Sequence, residues 1–149
     1  MLSLGDISDR LEIQDLLIEY SHAVDTGQWP LLDAVFTKDA VLDYTATGGP
    51  RGTLPEIKEF LAAVMPRFPG YQHLLGNCAI RLDGDRATGR TMCLNPLVLP
   101  EGGKAAERGV LLCGFWYVDD FARDGGGWRI SSRRQETSYM YRAPGSVEA

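Results

Sequence analysis

Apolar residues keep one period before residue 64 and another after residue 73. This switch restricts the chain more than any other feature. In the first part Ile13, Leu16, Leu17, Tyr20 and Val24 recur at three- and four-residue steps, as do Ile57, Phe60, Leu61 and Val64. Such spacing builds the buried stripe of an amphipathic helix. In the second part apolar residues alternate with polar ones or run together. Those stretches are cut by Asp83-Gly84-Asp85, Glu101-Gly102-Gly103 and Asp124-Gly125-Gly126-Gly127. These read as turns between strands. Helices first and antiparallel strands after, joined by short connections, predict an α+β domain with helices against one face of the sheet.

A first helix is expected over Asp6 to Asp25. Asp6, Asp9 and Glu12 load its start as the macrodipole favours, and Gly27 is a natural stop. Pro30 should open a short second helix with Trp29, Leu32 and Phe36 on its stripe. Ala40 to Thr45 alternates as a short strand, residues 47–52 read as a loop, and Thr53 and Glu56 have capping-box spacing. Pro66, Pro69 and Gly70 end the helix that follows. Strands are expected over 73–82, 86–99, Glu107 to Arg123 and Trp128 to Tyr141, with a frayed tail from Ala143. From Val110 to Val118 both faces are apolar. One face can line an interior while the other must meet helices or a second subunit, and we expect a homodimer.

Composition excludes several function classes. A chain of 149 residues fits one domain, 1–149, with a core of its own. A net charge of -5 offers no surface for nucleic acid. The three cysteines, Cys78, Cys93 and Cys113, are odd in number and too widely spread for a metal motif. They suit a reducing cytoplasm. The acidic start lacks the basic and apolar regions of a signal peptide, and no apolar run is long enough to span a membrane. Two histidines and scattered carboxylates do not make a metal site.

The chemistry concentrates in Tyr20-Ser21-His22-Ala23-Val24-Asp25, the end of the first helix. A carboxylate there faces the negative end of the macrodipole, so Asp25 needs a partner from elsewhere. Only one other histidine exists besides His22, namely His73. His22 lies opposite the apolar stripe and is left out of the site. Tyr20 and Asp25 are about 140° apart on an ideal helix and converge only if the helix unwinds at Asp25. Tyr20 is either core or a donor to a substrate oxygen. Of the neighbours Arg133 and Arg134, one faces in and one out. Trp29, Phe36, Trp116 and Trp128 suit the core. Ser21 and Ser138 lack the context of a nucleophile.

Tyr20-x4-Asp25-x3-Trp29, Phe36-x2-Asp39-Ala40, Asp43-Tyr44 and His73-Leu-Leu-Gly-Asn77 together resemble the SnoaL-like branch of the nuclear transport factor 2-like superfamily. Asp83-Gly84-Asp85 and Trp128-Arg129-Ile130 add to this. The resemblance implies a cone-shaped barrel, a strongly curved, mostly antiparallel sheet closed by N-terminal helices. Within the branch the chain is similar to scytalone dehydratase and bile-acid 7α-dehydratase, which remove water from a ring substrate without metal or cofactor. Asp25 and His73 match their shared helix-end aspartate and strand-start histidine. Tyr20 and Tyr44 each match a pocket tyrosine of one of them. Thr91 falls about where scytalone dehydratase has a second histidine, and Asn95 about where the bile-acid enzyme has a second carboxylate.

The resemblance implies a lyase or isomerase, of dehydratase or polyketide-cyclase type, for a small apolar ring compound. His73 would be the acid/base, Asp25 its orienting partner, and Tyr20 the group that polarises a carbonyl or hydroxyl. Tyr44, Asn95, Phe115 and Trp116 would contact substrate. No cofactor is implied, and a trimer is the alternative assembly. A non-catalytic ligand binder, or a scaffold like the small subunit of ring-hydroxylating dioxygenases, is the rival reading. Epoxide hydrolysis would need an Asp–Arg–Asp arrangement with a second pocket aspartate.

Overall fold

The computed structural model describes residues 1–100, 108–145 and 147. Helix α1 spans Leu4–Asp25, and a 3-10 turn at Trp29–Leu31 leads into the short α2, Leu32–Val35. Strand β1 (Phe36–Asp43), β2 (Arg51–Thr53) and α3 (Leu54–Val64) follow. The four long strands β3 (Leu74–Asp83), β4 (Arg86–Val98), β5 (Gly109–Arg123) and β6 (Trp128–Pro144) complete the chain. The expected turn at Glu101–Gly103 and the first residue of the strand expected from Glu107 lie outside the described residues.

One six-stranded sheet has the order β2-β1-β6-β5-β4-β3. Every pairing is antiparallel except β1 with β6, which is parallel. The sheet curves without closing on itself. Its inner face carries Cys93, Phe115, Tyr117, Phe121, Trp128 and Ile130, which join Ile13, Leu16, Leu17 and Val24 of α1 and Leu61 of α3 in one core. This is the α+β, nuclear transport factor 2-like architecture expected above.

Several boundaries move, each for a local reason. Helix α1 starts at Leu4 because Ser3 caps it. Ser3 Oγ accepts from Asp6 N–H at 3.0 Å, and the Asp6 carboxylate accepts from Ser3 N–H at 2.9 Å. The second helix is cut to a turn and four residues, because Phe36 is already extended and pairs with Ile130 of β6. Arg51 and Gly52, read as the end of a loop, form β2 together with the capping residue Thr53 by pairing with Val41 to Asp43. The strand expected to fray at Ala143 stays paired through Pro144, opposite Gly109. The capping box of α3 is present as read, with Thr53 and Glu56 bonded reciprocally.

The end of α1 is the junction that matters for the site. Gly27 adopts a left-handed φ of 67°. Its N–H donates to Val24 C=O at 3.2 Å, and Gln28 N–H donates to Ala23 C=O at 2.8 Å. This double bond pattern is a Schellman stop. It makes Asp25 the last helical residue, so the helix does not unwind before it.

Candidate active site

Segment 70–73 brings the histidine to Asp25. Val98 N–H donates to Gly70 C=O at 2.8 Å, Gln72 N–H donates to Pro96 C=O at 3.3 Å, and Asn95 Nδ2 donates to Gln72 C=O at 2.7 Å. Tyr71 Oη donates to Val24 C=O at 3.3 Å, tying the same segment to α1. His73 is thereby fixed just before β3. Its backbone N–H donates to Asp25 Oδ2 at 3.0 Å, and its Nδ1 lies 2.6 Å from Asp25 Oδ1. Where the carboxylate accepts, Nδ1 is the donor, and in the neutral ring that leaves Nε2 as the acceptor. One carboxylate thus fixes both the backbone position and the tautomer of one histidine.

Beside this dyad is a cavity of about 340 Å³ between α3 and the inner sheet face. Tyr20, Tyr44, His73, Asn95, Phe115 and Tyr117 all line it, with Phe60, Leu61, Val64, Phe68 and Leu97 supplying much of its apolar wall. Asp25 is not among the lining residues; it stands behind His73. Tyr20 Oη and Tyr44 Oη are 2.6 Å apart. The Tyr20 ring meets the His73 ring edge-on, with centroids 6.1 Å apart. Burial pushes the phenols of Tyr20, Tyr44 and Tyr117 up, against the pull of Arg133. All three are therefore protonated donors at neutral pH.

Trp116, expected as a substrate contact, is a correction. Successive residues of a strand point to opposite faces, so with Phe115 and Tyr117 inside, Trp116 points out. It lies in an outer-face hollow with Leu74, Met92 and Tyr139, and the Arg90 guanidinium stacks on it at 4.1 Å. His22 is exposed, as expected.

A second buried pair went unread in the sequence. Arg133 Nε and Nη2 donate to the two carboxylate oxygens of Asp119 at 2.8 and 2.7 Å, both side chains fully buried. Burial works against the Arg133 charge, but the adjacent Asp119 carboxylate more than offsets it and holds the guanidinium pKa well up. Arg133 lies 4.2 Å from the Tyr20 ring centroid and 3.9 Å from that of Tyr117. Strict alternation from Trp128 and Ile130 would turn Arg134 inward. A register shift between Asp120 and Phe121, where Ser131 is the extra residue, turns Arg133 inward instead. Asp119 is a buried aspartate beside an arginine, but it does not line the cavity and Arg133 occupies both of its oxygens, so it is not the second pocket aspartate that epoxide hydrolysis would need. Among the described residues no group of three or more His, Cys, Asp or Glu could hold a metal ion, and no helix is long and apolar enough to cross a membrane.

The SnoaL-like domain family matches residues 5–134. The chain belongs to this family. Among its relatives is the uncharacterized protein Rv2910c of Mycobacterium tuberculosis, 52% identical over 92% of this chain and 90% of the relative. A putative aromatic ring hydroxylase from Novosphingobium aromaticivorans is 30% identical, with a TM-score of 0.79 over 92% of this chain and 94% of that one. LinA is 26% identical, with a TM-score of 0.83 over 98% and 97% of the two chains. A type 2 LinA is described as a hexachlorocyclohexane dehydrochlorinase. A putative scytalone dehydratase from Novosphingobium aromaticivorans, 20% identical with a TM-score of 0.78 over 97% and 92%, shares the fold. A SnoaL-like fold thus carries the His73–Asp25 dyad, with His73 in the wall of a largely apolar cavity.

Proposed function

We propose that this SnoaL-like protein is a cofactor-independent lyase or isomerase acting on a small apolar ring compound. The observation that carries the reading is the His73–Asp25 pair at 2.6 Å, with His73 lining an apolar cavity that also holds the Tyr20–Tyr44 hydroxyl pair. His73 Nε2 takes a proton from a carbon beside a carbonyl. The tyrosine hydroxyls donate to the carbonyl oxygen as it gains charge, and Asp25 stabilises the imidazolium. Returning the proton to a β-hydroxyl expels water and leaves a carbon–carbon double bond. Returning it to another carbon gives an isomer. The dehydratase and dehydrochlorinase names among the structural neighbours support elimination as the reaction type. A cytoplasmic homodimer suits the free cysteines and the apolar outer face of β5.

The test is a panel of hydroxylated ring ketones followed by the absorbance of the conjugated product. Wild type should turn over at least one, and His73→Ala should lower that turnover by ~10²–10⁴-fold with the fold intact. The rival is a non-catalytic ligand-binding or scaffold role of the same fold. No turnover across the panel, with equal ligand binding by wild type and His73→Ala, would establish that rival.

A further inference from the structure

We propose that Asn95 is the leaving-group residue of the cavity: its Oδ1, held beside His73, accepts a hydrogen bond from a departing hydroxyl and so selects substrates that lose water over those that lose halide. This rests on the lyase reading, which by itself does not say what is expelled. Gln72 N–H donates to Pro96 C=O and Leu74 pairs with Leu94, so His73 stands directly opposite Asn95 on the neighbouring strand. Side chains opposite one another on antiparallel strands share a face, with Cβ atoms about 4.5–5.5 Å apart. Both side chains line the cavity. The Asn95 amide is oriented by its own bond. A carbonyl oxygen only accepts, so the atom that meets Gln72 C=O at 2.7 Å is the amide nitrogen. Oδ1 is therefore turned away from that segment. It accepts no hydrogen bond among the described residues, and it is not sealed from the cavity that Asn95 lines. An open acceptor in a largely apolar wall is completed by a donor.

The reaction brings one donor to that spot. His73 Nε2 takes a proton from the carbon beside the carbonyl and must then reach the leaving group to return it. Whatever leaves is thus within reach of the residue opposite His73. A hydroxyl takes the Nε2 proton as its bond to carbon breaks. The electron pair of that bond goes to the oxygen, the enolate pair forms the carbon–carbon double bond, and His73 is neutral again. The hydroxyl keeps its own proton throughout, and Oδ1 accepts it in a hydrogen bond before and after the bond breaks. A halide leaves with the same electron pair but has no proton for Oδ1. It sets a second electron-rich atom against the amide oxygen. A carboxylate opposite His73 could not hold Gln72 C=O as the amide does, because it has no proton to donate.

The test compares 3-hydroxycyclohexanone with 3-fluorocyclohexanone. Both yield 2-cyclohexenone, and fluorine is close to hydroxyl in size but carries no proton. The readout is the ratio of kcat/KM for the two substrates, from the absorbance of the enone, in wild type and Asn95→Leu. Leucine keeps the volume and removes the acceptor. The hydroxyl-to-fluoride ratio should fall about tenfold, the worth of one hydrogen bond. Displacement of His73 would slow both substrates alike and cancel from the ratio, so an unchanged ratio overturns the proposal. Should Asn95→Leu not fold, wild type decides through two inhibitors of the elimination. Cyclohexanol must inhibit about tenfold better than fluorocyclohexane, and equal inhibition overturns the proposal. Deuterium exchange into cyclohexanone reports the His73 step without any leaving group. His73-dependent exchange with an unchanged ratio overturns the role of Asn95 and keeps the lyase reading. Neither exchange nor elimination by wild type removes both.

Discussion

His73 can act as a base only while one of its nitrogens is held and the other is free, and Asp25 does the holding. Asp25→Asn keeps the shape of the contact but cannot balance the imidazolium. Turnover should fall, on the order of 10²–10⁴-fold, in steady-state assays. Tyr20→Phe should be the mildest of the dyad-region changes, because it removes one hydrogen bond and keeps the ring. The cysteines give a check that needs no substrate. Burial pushes the Cys93 thiol up to about 12. Only the thiolate is nucleophilic, so Cys93 should resist iodoacetamide at pH 8 in the native state and react once the chain is unfolded, as read by mass spectrometry. His73 and Asp25 were legible because two histidines leave few choices and a carboxylate at a helix C-terminus asks for a partner. Trp116 was misassigned because one step along a strand reverses the face. Asp119 was missed, and the choice between Arg133 and Arg134 stayed open, because each sits beside a charged neighbour and only the register decides which of them turns inward.

Two junctions between elements set that geometry. The first is the Schellman stop at Gly27. An added Cβ there would only touch Trp29 at 3.8 Å, so the cost of Gly27→Ala is conformational, about 1 kcal/mol in urea unfolding. The second is Asp9, which fastens α1 to the β5–β6 hairpin. Trp128 Nε1 donates to it at 3.0 Å and Arg123 Nη2 at 2.8 Å. These two bonds lower the Asp9 pKa from its ordinary 3.8. Because the folded value lies below the unfolded one, the stabilisation is full above about pH 3.8 and is lost as pH falls through the folded value. Thermal midpoints should therefore drop below about pH 4, and Asp9→Asn should flatten that drop. The hairpins and the α3 capping box could be read from turn residues and spacing. The bulge at Ser131 and the early start of β1 could not, because both depend on pairing with a strand remote in the chain.

For the whole molecule, the order of helices and strands follows from the change of period, while the parallel pairing of β1 with β6 is a long-range choice that no local pattern announces. The helices cover the inner face of the sheet. On the outer face Leu74, Met92 and Tyr139 stay exposed beside Trp116, and Gly114 leaves room for the Tyr139 ring, which an added Cβ would approach to 2.4 Å. We expect this face to be covered by a second copy. Sedimentation at micromolar concentration should give a dimer, and Met92→Glu should shift it toward monomer. The inner cavity carries the central claim, that His73 removes a proton beside a carbonyl. Proton exchange of a ring ketone in D2O, followed by NMR, tests that step alone and requires no leaving group. Wild type should wash deuterium into the position beside the carbonyl, and His73→Ala should lose about 10²-fold or more of that rate. Equal exchange by the two proteins at saturating ketone would contradict the claim.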